Sequence, residues 1–125
     1  MIVRITAVRK DLLQGTEEVF ADGNAIRNGD AFTVRECPPW SGIDAVTAGE
    51  NEVVLEHRGE TVSRIVLPFE GSGTAEVKSE FGTMMFTSGL DRFLMSEEEV
   101  LIRYRLLQGE ELIAHTELLF HFSPD

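Results

Sequence analysis

Apolar and polar residues alternate along much of the chain, most clearly near its end. In VLIRYRLL, residues 100–107, Val100, Ile102, Tyr104 and Leu106 share one face, and Leu101, Arg103, Arg105 and Leu107 share the other. The polar run QGEE follows, with a glycine for the turn. LIAHTELLFHF, residues 112–122, then sets Leu112, Ala114, Thr116, Leu118, Phe120 and Phe122 against Ile113, His115, Glu117, Leu119 and His121. Period two on both sides of a short break predicts a β-hairpin. Its second face is mixed rather than polar. Leu101, Leu107, Ile113 and Leu119 offer apolar surface to another element or to an interface.

The same pattern recurs upstream. EVVLEH (52–57) and VSRIVLPF (62–69) predict a second hairpin around RGE, with Gly59 free to take positive φ. Pro68 has no N–H for a ladder and belongs at an edge, a bulge or a strand end. IVRITAV (2–8), DAFTVRE (30–36) and MMFTSGLDRFLM (84–95) read as strands, EEVFA (17–21) as a weaker one, and GSGTAEVKS (71–79) as a turn leading into another. SEEE, 96–99, returns the chain to solvent. Eight to ten short strands with no long segment of helical period predict an all-β fold. The expected form is one domain over residues 1–125, a single antiparallel barrel of about eight strands. Closure would remove the unpaired edges that so many strands create.

Charge and cysteine usage narrow the function classes. Acidic residues number 22 against 11 basic ones, for a formal net charge of −11. Nucleic acid and anionic membranes are repelled at long range, so neither is an expected partner. MIVRITAVRK does not read as a signal peptide, because Arg4, Arg9 and Lys10 interrupt its apolar run. A single cysteine, Cys37, leaves no intramolecular disulfide and suits a reducing compartment, so the expected location is the cytoplasm.

Candidate chemistry is sparse. His115 and His121 lie six positions apart on one strand, roughly 20 Å if it is straight, too far to share a metal. His57 and its neighbour Glu56 point to opposite faces. No HExxH, GxSxG or phosphate-loop spacing is present, so no metal, cofactor or catalytic set is assigned. Met84 and Met85 in EFGTMMFTSG face opposite ways and make no two-sulfur ligand pair. Cys37, in RECPPWSG, has no second cysteine, and Glu36 beside it disfavours a thiolate. Five residues form the candidate ligand set: Trp40, Phe86, Arg103, Tyr104 and Arg105. Trp40 plugs a barrel mouth or lines a cavity, and Tyr104 packs the core or lines the interior. Arg103 and Arg105 either pair with Glu117 or face an anionic ligand.

SEFGTMMFTSGLDRF followed by EVLIRYRLLQGEELIAHTELLFHF resembles the bacterial DUF1934 (YwiB-like) family of calycin-type barrels. The residues that carry the resemblance are Phe81, Gly82, Thr83, Met85 and Thr87, then Tyr104, Leu106, Gly109 and Leu118. VVLEHRGETVSRIVLPFEGS is similar to that family's central segment, with its turn at Arg58 and Gly59 and its strand through Ile65 and Phe69. The likeness covers roughly residues 45–122. It implies a calycin- or lipocalin-like barrel and no assigned activity. Three functions then compete. The first is a barrel that binds a small, partly apolar ligand. The second is a solid barrel that docks a protein partner or another copy of itself. The third, least favoured, is a hydrolase using Cys37 or a histidine.

Overall fold

The computed structural model describes residues 2–29, 31–35 and 45–124. Among them it places ten strands: β1 Ile2–Asp11, β2 Thr16–Asn28, β3 Ala31–Arg35, β4 Ala45–Ala48, β5 Glu52–Arg58, β6 Val62–Pro68, β7 Gly73–Ser79, β8 Gly82–Met95, β9 Glu99–Gln108 and β10 Glu111–Pro124. Each strand pairs antiparallel with the next, and β10 returns to β1, so the curled sheet closes on itself as a barrel. Consecutive antiparallel strands alternate in direction. The turns at 12–15, 59–61, 80–81 and 109–110 therefore lie at one end, here called upper, and those at 49–51, 69–72 and 96–98 at the other.

Four expectations change, the first being the strand number, which is ten among the described residues where about eight were expected. The strand at 17–21 is far longer, and Ala45–Ala48 forms a strand that alternation did not reveal. Its four residues are too few for a period, yet Val46 is buried. Gly59 also stays outside the left-handed region, which Gly15, Gly29, Gly71, Gly82 and Gly109 enter instead.

Alternation drives the core. Val3, Ile5 and Ala7 of β1 face inward with Phe122 and Phe120 of β10, their register partners Ile5↔Phe122 and Ala7↔Phe120. Val100, Ile102 and Tyr104 of β9 continue that surface, and Val53, Leu55, Ile65, Leu67 and Ala75 supply the far wall. These residues form one continuous buried cluster. Bulges adjust the phase where strict alternation would fail. Phe20 is the extra residue opposite β1, between the pairs Ala7↔Ala21 and Val8↔Val19. Asp91 plays that part in β8 and Ile113 in β10.

Arg27 stabilises the lower end. Its guanidinium donates to the carbonyls of Ser96 and Glu97, both at 2.8 Å, and stacks over the Phe122 ring at 4.6 Å. One side chain thus ties β2 to the β8–β9 turn and covers the bottom of the core.

Candidate functional site

Among the described residues, the upper end carries a recess built from strand ends. Continuing β1 past Ala7 puts Arg9 and Asp11 on the inner face, opposite Leu118 and Thr116 of β10. Across the other edge of β1, Arg9 faces Glu18 and Asp11 faces Thr16. These side chains, with Glu17, line a recess of about 410 Å³. The Arg9 guanidinium pairs with Glu18 and lies 5.8 Å from the centre of the Phe20 ring. Asp11 shapes the rim. Its Oδ1 accepts from the N–H groups of Leu13 (3.0 Å) and Gln14 (3.1 Å), and its carbonyl accepts from Gly15 N–H at 2.8 Å.

Tyr104 stands beside Thr116 on the inner face, outside the lining of the recess. Its register partners are Thr116 and Leu90, and it is buried. Burial raises its pKa above the ordinary 10.0; a side-chain hydrogen bond with Thr116 and the charge of Arg9 pull the other way. A raised phenol pKa means the folded state keeps its proton where the unfolded chain has lost it. Stability from this group is therefore fully present below pH 10.0 and is lost as pH rises from there through the folded value. Tyr104 is the only tyrosine. An ultraviolet phenolate titration of the native protein is expected to show one midpoint above 10.0, falling to the ordinary value in urea. A native midpoint at or below the ordinary value would contradict the buried placement.

The sequence-derived candidates separate. Tyr104 and Phe86 share the inner surface, where Phe86 packs against the core opposite Ala75. Arg103 and Arg105 stand on the outer face, as alternation with buried Ile102 and Tyr104 requires. Arg103 donates to Glu117 Oε1 through Nε at 3.1 Å and Nη2 at 2.7 Å, and Lys10 approaches the other oxygen at 3.8 Å. Arg105 Nε donates to Asp91 Oδ1 at 2.7 Å, while His115 Nε2 meets Asp91 Oδ2 at 2.9 Å. The five residues therefore do not meet at one point, because the arginines are held by carboxylates on the opposite side of the wall. Trp40 and Cys37 lie outside the described residues.

Sequence reasoning missed Arg9, Thr16, Glu18 and Thr116 as a group. The signal was available in phase: Val3, Ile5, Ala7 and Arg9 follow period two, as do Thr116, Leu118 and Phe120. It also missed Ser88, buried in β8, whose Oγ donates to the Val66 carbonyl of β6. A second depression of about 250 Å³ lies on the outer face of β5–β7, among Glu56, Arg64, Val66, Thr74, Glu76 and Lys78. Its charges are mixed and its walls are surface side chains. No group of three or more His, Cys, Asp or Glu suited to a metal is found among the described residues.

Carboxylates outnumber the single guanidinium in the upper recess. Glu18 is paired to Arg9 and Thr116 is hydrogen-bonded to Tyr104, while Glu17, opposite outward-facing Lys10, contributes to the outer rim. Leu106 and Phe86 lie further along the same inner surface, packed against the core.

Comparison with known proteins agrees on architecture. The YwiB protein of Bacillus subtilis, known from its crystal structure, is similar with a TM-score of 0.57. The match covers 99% of this chain and 90% of that one at 14% sequence identity. At that identity the likeness establishes the all-β, barrel-like fold and no more. No protein-family profile matches the chain, and no curated protein does. No helix among the described residues is long and apolar enough to cross a membrane.

Proposed function

We propose that this chain is a single-domain, cytoplasmic, calycin-like binding barrel that takes a small, partly apolar ligand at its upper end. The recess lined by Arg9, Asp11, Thr16, Glu17, Glu18 and Thr116, of about 410 Å³, carries the reading. It opens beside an apolar inner wall, and its volume falls in the roughly 300–1,000 Å³ range of small-molecule sites. The ligand's polar end would bring donors, such as hydroxyl or amine groups, to the acidic rim formed by Asp11, Glu17 and Glu18. Its apolar part would lie along Leu106 and Phe86, with Tyr104 beside Thr116. Arg9 replaces Arg103 and Arg105 as the interior cation in this reading.

Native mass spectrometry of the protein purified from its own host tests the proposal. The wild type is expected to carry a non-covalent small-molecule mass that denaturation releases. Thr16→Trp, at an exposed position on the rim, is expected to fill the recess and abolish that mass while leaving the circular dichroism unchanged. A ligand-free wild type, or a mass retained in Thr16→Trp, contradicts the reading. A solid interaction module is the second reading, favoured by the single continuous core cluster.

A further inference from the structure

Asparagine followed by glycine is chemically labile. The glycine nitrogen can reach the asparagine side-chain carbonyl, because no Cβ on the second residue stands in its way. In a folded chain the reaction also needs backbone freedom. The peptide must rotate out of the extended form, and the strand ladder around it must open. The chain has three asparagines, Asn24, Asn28 and Asn51, and one Asp-Gly step, Asp22–Gly23, which closes the same ring. The fold treats these four positions differently.

Three of them are restrained. Asp22, Gly23 and Asn24 lie inside β2, opposite Thr6, Ile5 and Arg4 of β1. Asn24 is also opposite Arg35 of β3. Rotating a peptide there breaks the barrel wall. Asn51 precedes Glu52, whose side chain crowds the nitrogen, and its carbonyl accepts from the Phe69 N–H at 2.9 Å. Asn28 is exposed, and its pairing with Ala31 is the last of β2 with β3. On its other side, β1 reaches β2 only as far as Ile26 among the described residues. Gly29 begins the turn at a φ of +59, and a Cβ added there would meet nothing within 4 Å. One terminal ladder pair has to open for the nitrogen to approach, and terminal pairs fray readily.

We propose that Asn28 is a site of spontaneous deamidation. The Gly29 nitrogen attacks the Asn28 side-chain carbonyl carbon and closes a succinimide. The bond to the side-chain amide nitrogen breaks, and that nitrogen leaves as ammonia with the Gly29 amide proton. Water then adds at either ring carbonyl and opens the succinimide to aspartate or isoaspartate. Either product adds a carboxylate to a chain of formal charge −11. Isoaspartate also inserts a methylene into the main chain between residues 28 and 29. Arg27 feels that change directly. Its Nε donates to the Gly29 carbonyl at 3.3 Å, while its other nitrogens hold the Ser96 and Glu97 carbonyls. The lengthened backbone displaces the Gly29 carbonyl and removes one anchor of the side chain that covers the lower end of the core. The modification therefore loosens that end, whether or not the upper recess holds a ligand.

Peptide mapping by mass spectrometry, after incubation of the native protein at mildly alkaline pH, tests the proposal. Asn28 is expected to convert well ahead of Asn24 and Asn51, and Asp22–Gly23 to isomerise only in urea, where the ladder is gone. Gly29→Ala is expected to slow the conversion on the order of tenfold, because a Cβ crowds the attacking nitrogen. That variant keeps its fold, since the added methyl group has open space. The purified isoaspartyl form is expected to unfold at a lower urea concentration than the parent at matched m-value. Conversion in the folded protein at Asn24, Asn51 or Asp22 as fast as at Asn28, or an unchanged rate in Gly29→Ala, would overturn the site. An isoaspartyl form as stable as the parent would overturn its effect on the lower end.

Discussion

Phe120→Ala is expected to lower the unfolding free energy by about 3–5 kcal/mol, the range for removing a buried aromatic. Phe120 is fully buried and heads the fully buried side chains by volume. Its ring meets Phe20 edge-on, with centroids 5.8 Å apart and planes at 78°. Its register partners are Ala7 of β1 and Val100 of β9, both small and both fully buried. Neither side chain can reach into the space a lost ring would leave. The strands that carry them are held in ladders on both sides, so the wall cannot collapse inward cheaply. Most of the cavity should therefore persist and add its cost to the lost transfer energy. Urea unfolding at matched m-values measures the change. His121→Ala is the control. His121 is the next residue, points outward and is largely exposed, so a change within about 0.5 kcal/mol is expected there. A loss below about 1 kcal/mol at Phe120 would mean the lower half of the barrel is not the solid core described.

That solid lower half and the recessed upper end were unequally legible in the sequence. The two predicted hairpins appear as β5–β6 and β9–β10, because their side chains alternate over enough residues to show a phase. The same alternation put Tyr104 on the face of Val100 and Ile102 and the flanking arginines on the other, and Glu117 stands where an ion pair with one of them was expected. The lower half of β2 was missed, since Asp22, Gly23 and Asn24 all have low strand preference. Pairing with β1 on one side and β3 on the other overrides that preference and buries Ala25. The recess was missed for a simpler reason. The first strand was ended at Val8 and the next begun at Glu17, so Arg9, Asp11 and Thr16 fell into an assumed loop. Strand ends are where a hydrophobic pattern fades, and barrel mouths are built from strand ends. The bulge at Asp91 was also invisible, since one inserted residue shifts the phase with no compositional mark. It brings Asp91 to both Arg105 and His115.

Gly73→Ala is the other large expected effect, about 3 kcal/mol of lost stability, at the upper end of overpacking costs. The cause is space rather than backbone conformation. β7 begins at Gly73, between β6 and β8, at the level where Ser88 Oγ reaches the Val66 carbonyl. A methyl group at Gly73 would collide with that same carbonyl and lie 2.6 Å from Pro68 Cδ and 2.8 Å from Ser88 Oγ. The carbonyl is main chain and the proline ring is rigid, so relief requires β6 to move away from β8. That movement stretches the hydrogen bond from Ser88 and leaves a partly buried carbonyl poorly satisfied. Gly15 provides the contrast. Its φ is +73, but an added Cβ there meets nothing within 4 Å. Gly15→Ala should therefore cost only the conformational penalty of about 1 kcal/mol. The combination Gly73→Ala with Ser88→Ala separates the two contributions at Gly73. Removing the hydroxyl relieves one of the close contacts, so the double variant should lose less than the sum of the single losses. If the two losses simply add, the methyl group and the hydroxyl do not share the space described, and the close approach of β6 and β8 at this level is wrong.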